Sequence, residues 1–335
     1  MVRRRSHPTH ARPYRLAVLA AVTLLSFGSV APPVAEATYS IVARDPETGQ
    51  VGAAVQSHWF SVARVIWVEP GLGAVATQSL VDWTYGPAGL DLLRLGRSSS
   101  KALEGLLASD TAPYFRQVAI LDLDGEIVAH TGDRCIAEAG HHVGENYSVQ
   151  ANLMHHDTVP AAMADAFETT EGDLAEKLMA ALEAAEAQGG DIRGQQSAAL
   201  LVAGPENTGR PWEDYLFDLR IEDHAEPVKE MRRLIRVARA YEAMDEGDKA
   251  LEEEDVDGAA RAYRRAAELA PGNPEVLFWH AVSLANEGHL DRAEEVLAEV
   301  YEMDETWREL PARLVAPGIL TIEPAEVGRL ANAGR

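Results

Sequence analysis

Residues 35–57 read AEATYSIVARDPETGQVGAAVQS. Residues 38–43 are rich in β-branched and aromatic side chains and predict a strand. Pro46 and Gly49 fall at turn positions, and residues 51–57 predict a second strand, so the stretch is a β-hairpin. Directly before it, Ala35, Glu36 and Ala37 form the small-x-small pattern that signal peptidase reads.

Upstream, residues 1–15 carry Arg3, Arg4, Arg5, Arg12 and Arg15 and no acid. Residues 16–30 (LAVLAAVTLLSFGSV) are apolar, and Pro32 and Pro33 end the run. The run is short for a membrane span, which needs about 20 residues. Residues 1–37 therefore predict a secretory signal peptide, an exported protein in a periplasm or the medium, and no membrane attachment after cleavage. Cleavage after Ala37 makes Thr38 the first residue. A terminal threonine joins a hydroxyl nucleophile to an α-amine whose pKa of about 7.7–8.0 suits a general base. Many secreted chains start with a small polar residue for no such reason, so the terminus alone does not decide the chemistry.

Downstream, strands are expected at 63–68, 73–79, 117–123, 126–131, 147–153, 197–203 and 215–221. Helices are expected after Tyr85-Gly86-Pro87, after the serines 98–100, at 159–169 and at 173–188. Strand pairs surrounding helix pairs suit stacked antiparallel sheets covered by helices, an α+β class. From about residue 224 the pattern is helix alone. Ala259, Tyr263, Ala266 and Leu269 recur as Ala293, Leu297, Val300 and Met303, with Pro271 and Pro274 between units and Gly288 ending a helix. This resembles the tetratricopeptide repeat over about 240–306. Two units are fewer than the three or so such arrays need alone. They must lean on the preceding domain, on flanking helices near 228–239 and 307–315, or on another chain.

Composition narrows the function. Of 335 residues, 47% are hydrophobic and 25% charged, which is globular and excludes wholesale disorder. Lys and Arg number 30 against 53 Asp and Glu, for a net charge of −23. Such a chain repels phosphate backbones, so nucleic acid is not an expected partner. With a single cysteine, Cys135, no intrachain disulfide or cysteine-rich zinc site can form. The doublets His141-His142 and His155-His156 place neighbouring rings on opposite sides of an extended chain, so no metal or other cofactor is expected. Cys135 with His130 could form a nucleophile pair, but a lone cysteine is more often a small buried apolar residue.

Residues 38–57 resemble the opening of the bacterial family known as domain of unknown function 1028. Further similarity runs through GLGAVATQ (71–78), YGPAGLDLL (85–93), HTGDRC (130–135), ENYSVQANLM (145–154) and GGDIRGQQSAALLV (189–202). The resemblance implies the N-terminal-nucleophile (Ntn) hydrolase superfamily and a four-layer αββα sandwich. It also implies a threonine exposed at the chain start, because members without a leader begin Met-Thr. It implies no substrate.

On that basis the expected organisation is a leader at 1–37, an Ntn-like domain at 38–223, a tetratricopeptide-like segment at 224–320 and a tail at 321–335. Thr38 is the expected nucleophile, with Ser40 on the same strand face as the fallback. Gln150 and Asn152 match the family's VQxN motif, and Ala151 stands where Gly is usual. Asn152 is the first oxyanion-hole candidate; an amide tying strand ends together is the other reading. Asp191 and Arg193 could hold the α-amine of Thr38 and a substrate carboxylate, or form a loop salt bridge. Ser57, Gln78 and Gln150 are expected near the substrate. The expected activity is cleavage of a small amide or peptide-like substrate through a Thr38 acyl-enzyme. The rival is a non-catalytic Ntn-like scaffold whose repeats recruit a protein partner or self-associate.

The exported protein is expected to begin at Thr38. Intact-mass measurement of the secreted chain checks this, and any other start removes Thr38 from the role of terminal nucleophile.

Overall fold

A computed structural model describes residues 37–335. Apart from Ala37, the expected leader lies outside the described residues. Ten strands and eleven helices follow. The first block holds β1 (Thr38–Arg44), β2 (Val51–Ser57), β3 (Ile66–Glu69), β4 (Gly73–Ser79), α1 (Tyr85–Arg94) and α2 (Ser99–Ser109). Next come β5 (Arg116–Asp122), β6 (Ile127–Thr131), β7 (Gly140–Gly144), β8 (Tyr147–Asn152), α3 (Val159–Thr169) and α4 (Leu174–Ala187). The mixed region closes with β9 (Ser197–Ala203), the single turn α5 (Pro211–Asp214) and β10 (Tyr215–Ile221). The rest is helical: α6 (Pro227–Glu252), α7 (Val256–Leu269), α8 (Pro274–Asn286), α9 (Leu290–Met303), α10 (Leu310–Val315) and α11 (Pro324–Ala331).

The strands form two antiparallel sheets, ordered β10-β9-β2-β1-β8-β7 and β3-β4-β5-β6. Period-two alternation gives each strand two different faces. Tyr39, Ile41 and Val149 meet Leu178 and Leu182 of α4 on one face of the larger sheet. Val75 and Ile120 meet Leu90 and Leu103 of α1 and α2 on one face of the smaller. The two remaining faces meet each other through Val42, Val55, Ala76 and Leu121. Gly86 permits the close seat of α1: a Cβ there would lie 2.2 Å from the Trp67 ring.

Several expectations change. Residues 63–68 are not one strand. Ser61 adopts a left-handed φ of 59°, a 3₁₀ turn follows at Val62–Val65, and β3 starts only at Ile66. The strand β7 was not expected, because GHHVG has neither apolar alternation nor burial to mark it. The helix expected near 228–239 has no break after it: α6 runs unbroken for 26 residues. Residues 321–335 are more than a tail, since Val327, Leu330 and Ala333 of the α11 region are buried in the helical core.

Continuity of α6 joins the two cores. Val228, Met231 and Ile235 are buried against the mixed region, while Ala240, Ala243 and Met244 belong to the helical core. Ion pairs also hold α6 on α4. Arg232 pairs with Glu176 and, at 2.9 Å, with Glu183, and Arg239 pairs with Glu176 and, at 2.7 Å, with Asp173. These pairs are half-buried, so the cost of desolvating the charges offsets much of their attraction. Burying a Val, Ile or Met side chain contributes about 1.5–3 kcal/mol, so apolar contact dominates the join. A fragment of residues 240–306 loses that join and the α11 contacts. It is expected to melt without a cooperative transition by circular dichroism, whereas the full chain melts cooperatively; a cooperative fragment would contradict this.

Candidate functional site

The inter-sheet layer turns polar at one end. Its inward stripes carry Thr38 and Ser40 at the start of β1, Ser57 at the end of β2, and Gln150 and Asn152 at the end of β8. Across the layer stand Gln78 at the end of β4 and Gln117 at the start of β5. Antiparallel neighbours put the start of one strand beside the end of the next, so all these residues gather at one edge. Register makes this explicit: Thr38 opposes Ser57 on one side and Asn152 on the other, and Gln78 opposes Gln117.

Every amide in this cluster is engaged, as buried polar groups require. Gln78 Nε2 donates to the Thr38 carbonyl at 2.9 Å and to Gln117 Oε1 at 2.7 Å, and Gln78 Oε1 accepts from Ser40 Oγ at 2.6 Å. Gln150 Nε2 donates to Ser40 Oγ at 2.6 Å. Asn152 Nδ2 donates to Gln117 Oε1 at 3.1 Å and to the Thr38 carbonyl at 3.4 Å. Gln117 Nε2 donates to Thr131 Oγ1 and to the Ala151 carbonyl, both at 2.9 Å.

These contacts correct three expectations. Asn152 spends its amide protons on a strand carbonyl and a glutamine, so it ties strand ends together and aims no donor at a developing oxyanion. Gln78 and Gln150 are fully buried beneath β1 and line no substrate space. Ser40 is held between two glutamines inside a paired strand, which disfavours it as a fallback nucleophile.

The groups around the Thr38 hydroxyl are different ones. Thr38, 1% exposed with Ala37 in place, donates from Oγ1 to Ser57 Oγ at 3.1 Å. Ser57 Oγ donates to the Ala37 carbonyl, and Arg193 Nη2 donates to that same carbonyl at 2.9 Å. Asp191 does not reach toward the Thr38 nitrogen as expected. Its Oδ2 accepts from the His58 amide at 2.8 Å and from Arg193 Nη2 at 3.0 Å, and its Oδ1 accepts from the Arg193 amide at 2.8 Å. Asp191 therefore orients Arg193 and pins the loop after β2. The salt-bridge reading holds, and the pair also sets a guanidinium beside the peptide bond that precedes Thr38. The loop supplies this geometry because Gly190 and Gly194 take positive φ on either side of it.

Behind β1, Tyr39 donates to Glu186, and Gln195 Nε2 donates to Glu186 Oε2 at 2.5 Å. Burial, followed by the Glu186 charge, pushes the Tyr39 phenol well up, and burial pushes Glu186 up as well. Burial also raises the Cys135 thiol, which sits 3.4 Å from the Arg116 carbonyl, so this cysteine is not poised as a thiolate. His141 reaches the cluster only through Thr131, at 2.8 Å, and burial lowers its pKa. Among the described residues no group of three His, Cys, Asp or Glu is arranged to hold a metal, and no helix is long and apolar enough to cross a membrane.

Sequence reasoning missed Gln117, the hub of the cluster. The signal was present: it is the one polar residue on the stripe Gln117-Ala119-Leu121, opposite the one polar residue on Ala74-Ala76-Gln78. Gln117→Leu strips partners from Gln78 and Asn152 inside the layer. It is expected to destabilise the protein by about 2–4 kcal/mol, measured by urea unfolding, since each orphaned buried group costs about 1–3 kcal/mol; an unchanged midpoint would contradict the hub role.

Residues 250–316 match the tetratricopeptide repeat, a type that points to protein interaction or self-association. No curated protein matches the chain. A crystal structure of a Silicibacter pomeroyi protein, described as a DUF1028 protein, is similar at 30% identity and a TM-score of 0.54, over 60% of this chain and 85% of that one. Residues 38–231 match the family described as "Family of unknown function (DUF1028)", and the chain belongs to that family.

Proposed function

We propose that the chain is the precursor of an exported N-terminal-nucleophile hydrolase, in which cleavage after Ala37 frees Thr38 to open an amide bond. The supporting observation is the pair of donors on the Ala37 carbonyl. Arg193 Nη2 and Ser57 Oγ both hold that oxygen, directly beside the Thr38 hydroxyl. Loss of residue 37 leaves the two donors facing the position where a substrate carbonyl would be attacked. Two facing sheets with helices on both outer sides also support the four-layer αββα sandwich of that superfamily.

Thr38 Oγ1 adds to the amide carbonyl carbon, and its proton passes to the neutral α-amine. The carbonyl π pair moves onto oxygen, where Arg193 and Ser57 stabilise it. Collapse breaks the C–N bond, and the leaving amine takes the proton from the α-ammonium. Water, deprotonated by the same amine, then hydrolyses the Thr38 ester. Asp191 touches no reacting atom; it positions Arg193. The substrate is a small amide or peptide-like compound met in a periplasm or the medium.

Screening the mature protein against an amide library tests this. With any substrate found, Thr38→Ser keeps part of the turnover and Thr38→Ala abolishes it. One residue added before Thr38 is as damaging as Thr38→Ala, because an amide nitrogen is no base near neutral pH. Ser57→Ala slows turnover about 10²–10³-fold, the usual loss for one oxyanion donor. The amine must be neutral to accept a proton, so the rate rises with pH through an apparent pKa of about 7–8, drawn lower by the nearby guanidinium. Full activity from the extended chain would overturn the proposal.

A further inference from the structure

The first helices of the two repeat units line a groove of about 520 Å³ that is separate from the Thr38 site. Tyr241, Asp245, Asp248 and Glu252 recur at spacings of four, three and four, which is one stripe of α6. Thirty-four residues later, Glu275, Trp279, Val282 and Asn286 form the same stripe on α8. The repeat's packing positions keep similar residues, Ala259 with Ala293 and Ala266 with Val300, all of them buried. The groove positions differ at every step: acid against aromatic, acid against valine, acid against amide. Packing accounts for the first set, while the second faces the groove and is free of that constraint.

The chemistry of the lining defines that ligand. Four carboxylates line the groove, with no Lys or Arg among the lining residues. Glu275 accepts from the Tyr241 hydroxyl at 2.7 Å, and Asp248 accepts from Tyr263. Those donors are neutral and leave both charges uncompensated. Asp245 and Glu252 have no ion pair among the described residues, and two arginines of α7 pair elsewhere, Arg265 with Glu246 and Arg261 with Asp255. Between the charges lie Met244, Leu251, Val282 and the half-buried Trp279 ring. Carboxylates set over aromatic and aliphatic surface suit the cationic heads and methylene stems of Lys and Arg. The stripe on α6 spans about 16 Å at 1.5 Å per residue, the length of about five extended residues.

From the charge complementarity of this groove we infer that the repeat segment binds an extended cationic peptide segment, with Lys or Arg alternating with apolar residues. The four carboxylates repel an acidic peptide. This does not depend on the hydrolase proposal.

The test is fluorescence anisotropy on the full chain with a dye-labelled Lys-Leu-Lys-Leu-Lys amide. Asp245 and Glu252 are both exposed and make no ion pair, so the D245N/E252Q chain folds as before, which its melting curve checks. Saturable binding is expected. It should weaken about tenfold or more in D245N/E252Q, weaken in Trp279→Ala, and stay unchanged in E295Q/E299Q, which removes two exposed acids from α9. A Glu-Leu-Glu-Leu-Glu peptide should not bind. Absence of saturable binding would overturn the inference. So would equal losses in the two double variants, since the attraction would then come from the net charge of the chain. Comparable binding of the acidic peptide would overturn it as well.

Discussion

The arrangement around Thr38 depends on β1 being hydrogen-bonded along both edges. With β2 on one side and β8 on the other, its backbone has no freedom to shift register without turning every inward residue outward. The Thr38 carbonyl is held further by Gln78 and Asn152 from beneath. Thr38 therefore stands in a strand paired along both edges, with its carbonyl held from the facing sheet.

The polar cluster divides into two shells with different jobs. The glutamines and Asn152 are wholly buried and satisfy one another; they stabilise the strand geometry. Ser57 and Arg193 reach past β1 toward the preceding carbonyl. Arg193 carries its charge there because Asp191, itself buried, meets it with two oxygens and takes a third hydrogen bond from the His58 amide. Breaking that pair would leave a buried carboxylate unmatched, a loss of several kcal/mol. The loop after β2 and the loop before β9 are therefore tied together beside the peptide bond that precedes Thr38.

Much of this was legible in the sequence. The hairpin at 38–57, the later strands, the two helix pairs and the 34-residue repeat all follow from alternation, helical spacing and turn residues. The choice of Thr38, Asn152, Asp191 and Arg193 as site candidates comes from the resemblance to the family's motifs and not from these patterns. What was not legible is which amide faces which acceptor. Period two puts Asn152 and Gln150 on one face of their strand, yet it cannot say that this face turns inward or that Gln117 arrives from the other sheet to meet Asn152. The strand β7 escaped because an exposed edge strand needs no apolar pattern. The unbroken α6 escaped because its two halves bury different faces in different cores, which reads in sequence as two helices.

The central claim is that a free amine on Thr38 makes its hydroxyl a nucleophile. Acylation by a β-lactone, followed by tandem mass spectrometry, tests it without a known substrate. The account predicts one acyl group on Thr38 of the cleaved protein and none on a chain carrying one extra residue before Thr38. Labelling at another residue, or equal labelling of the extended chain, would contradict it.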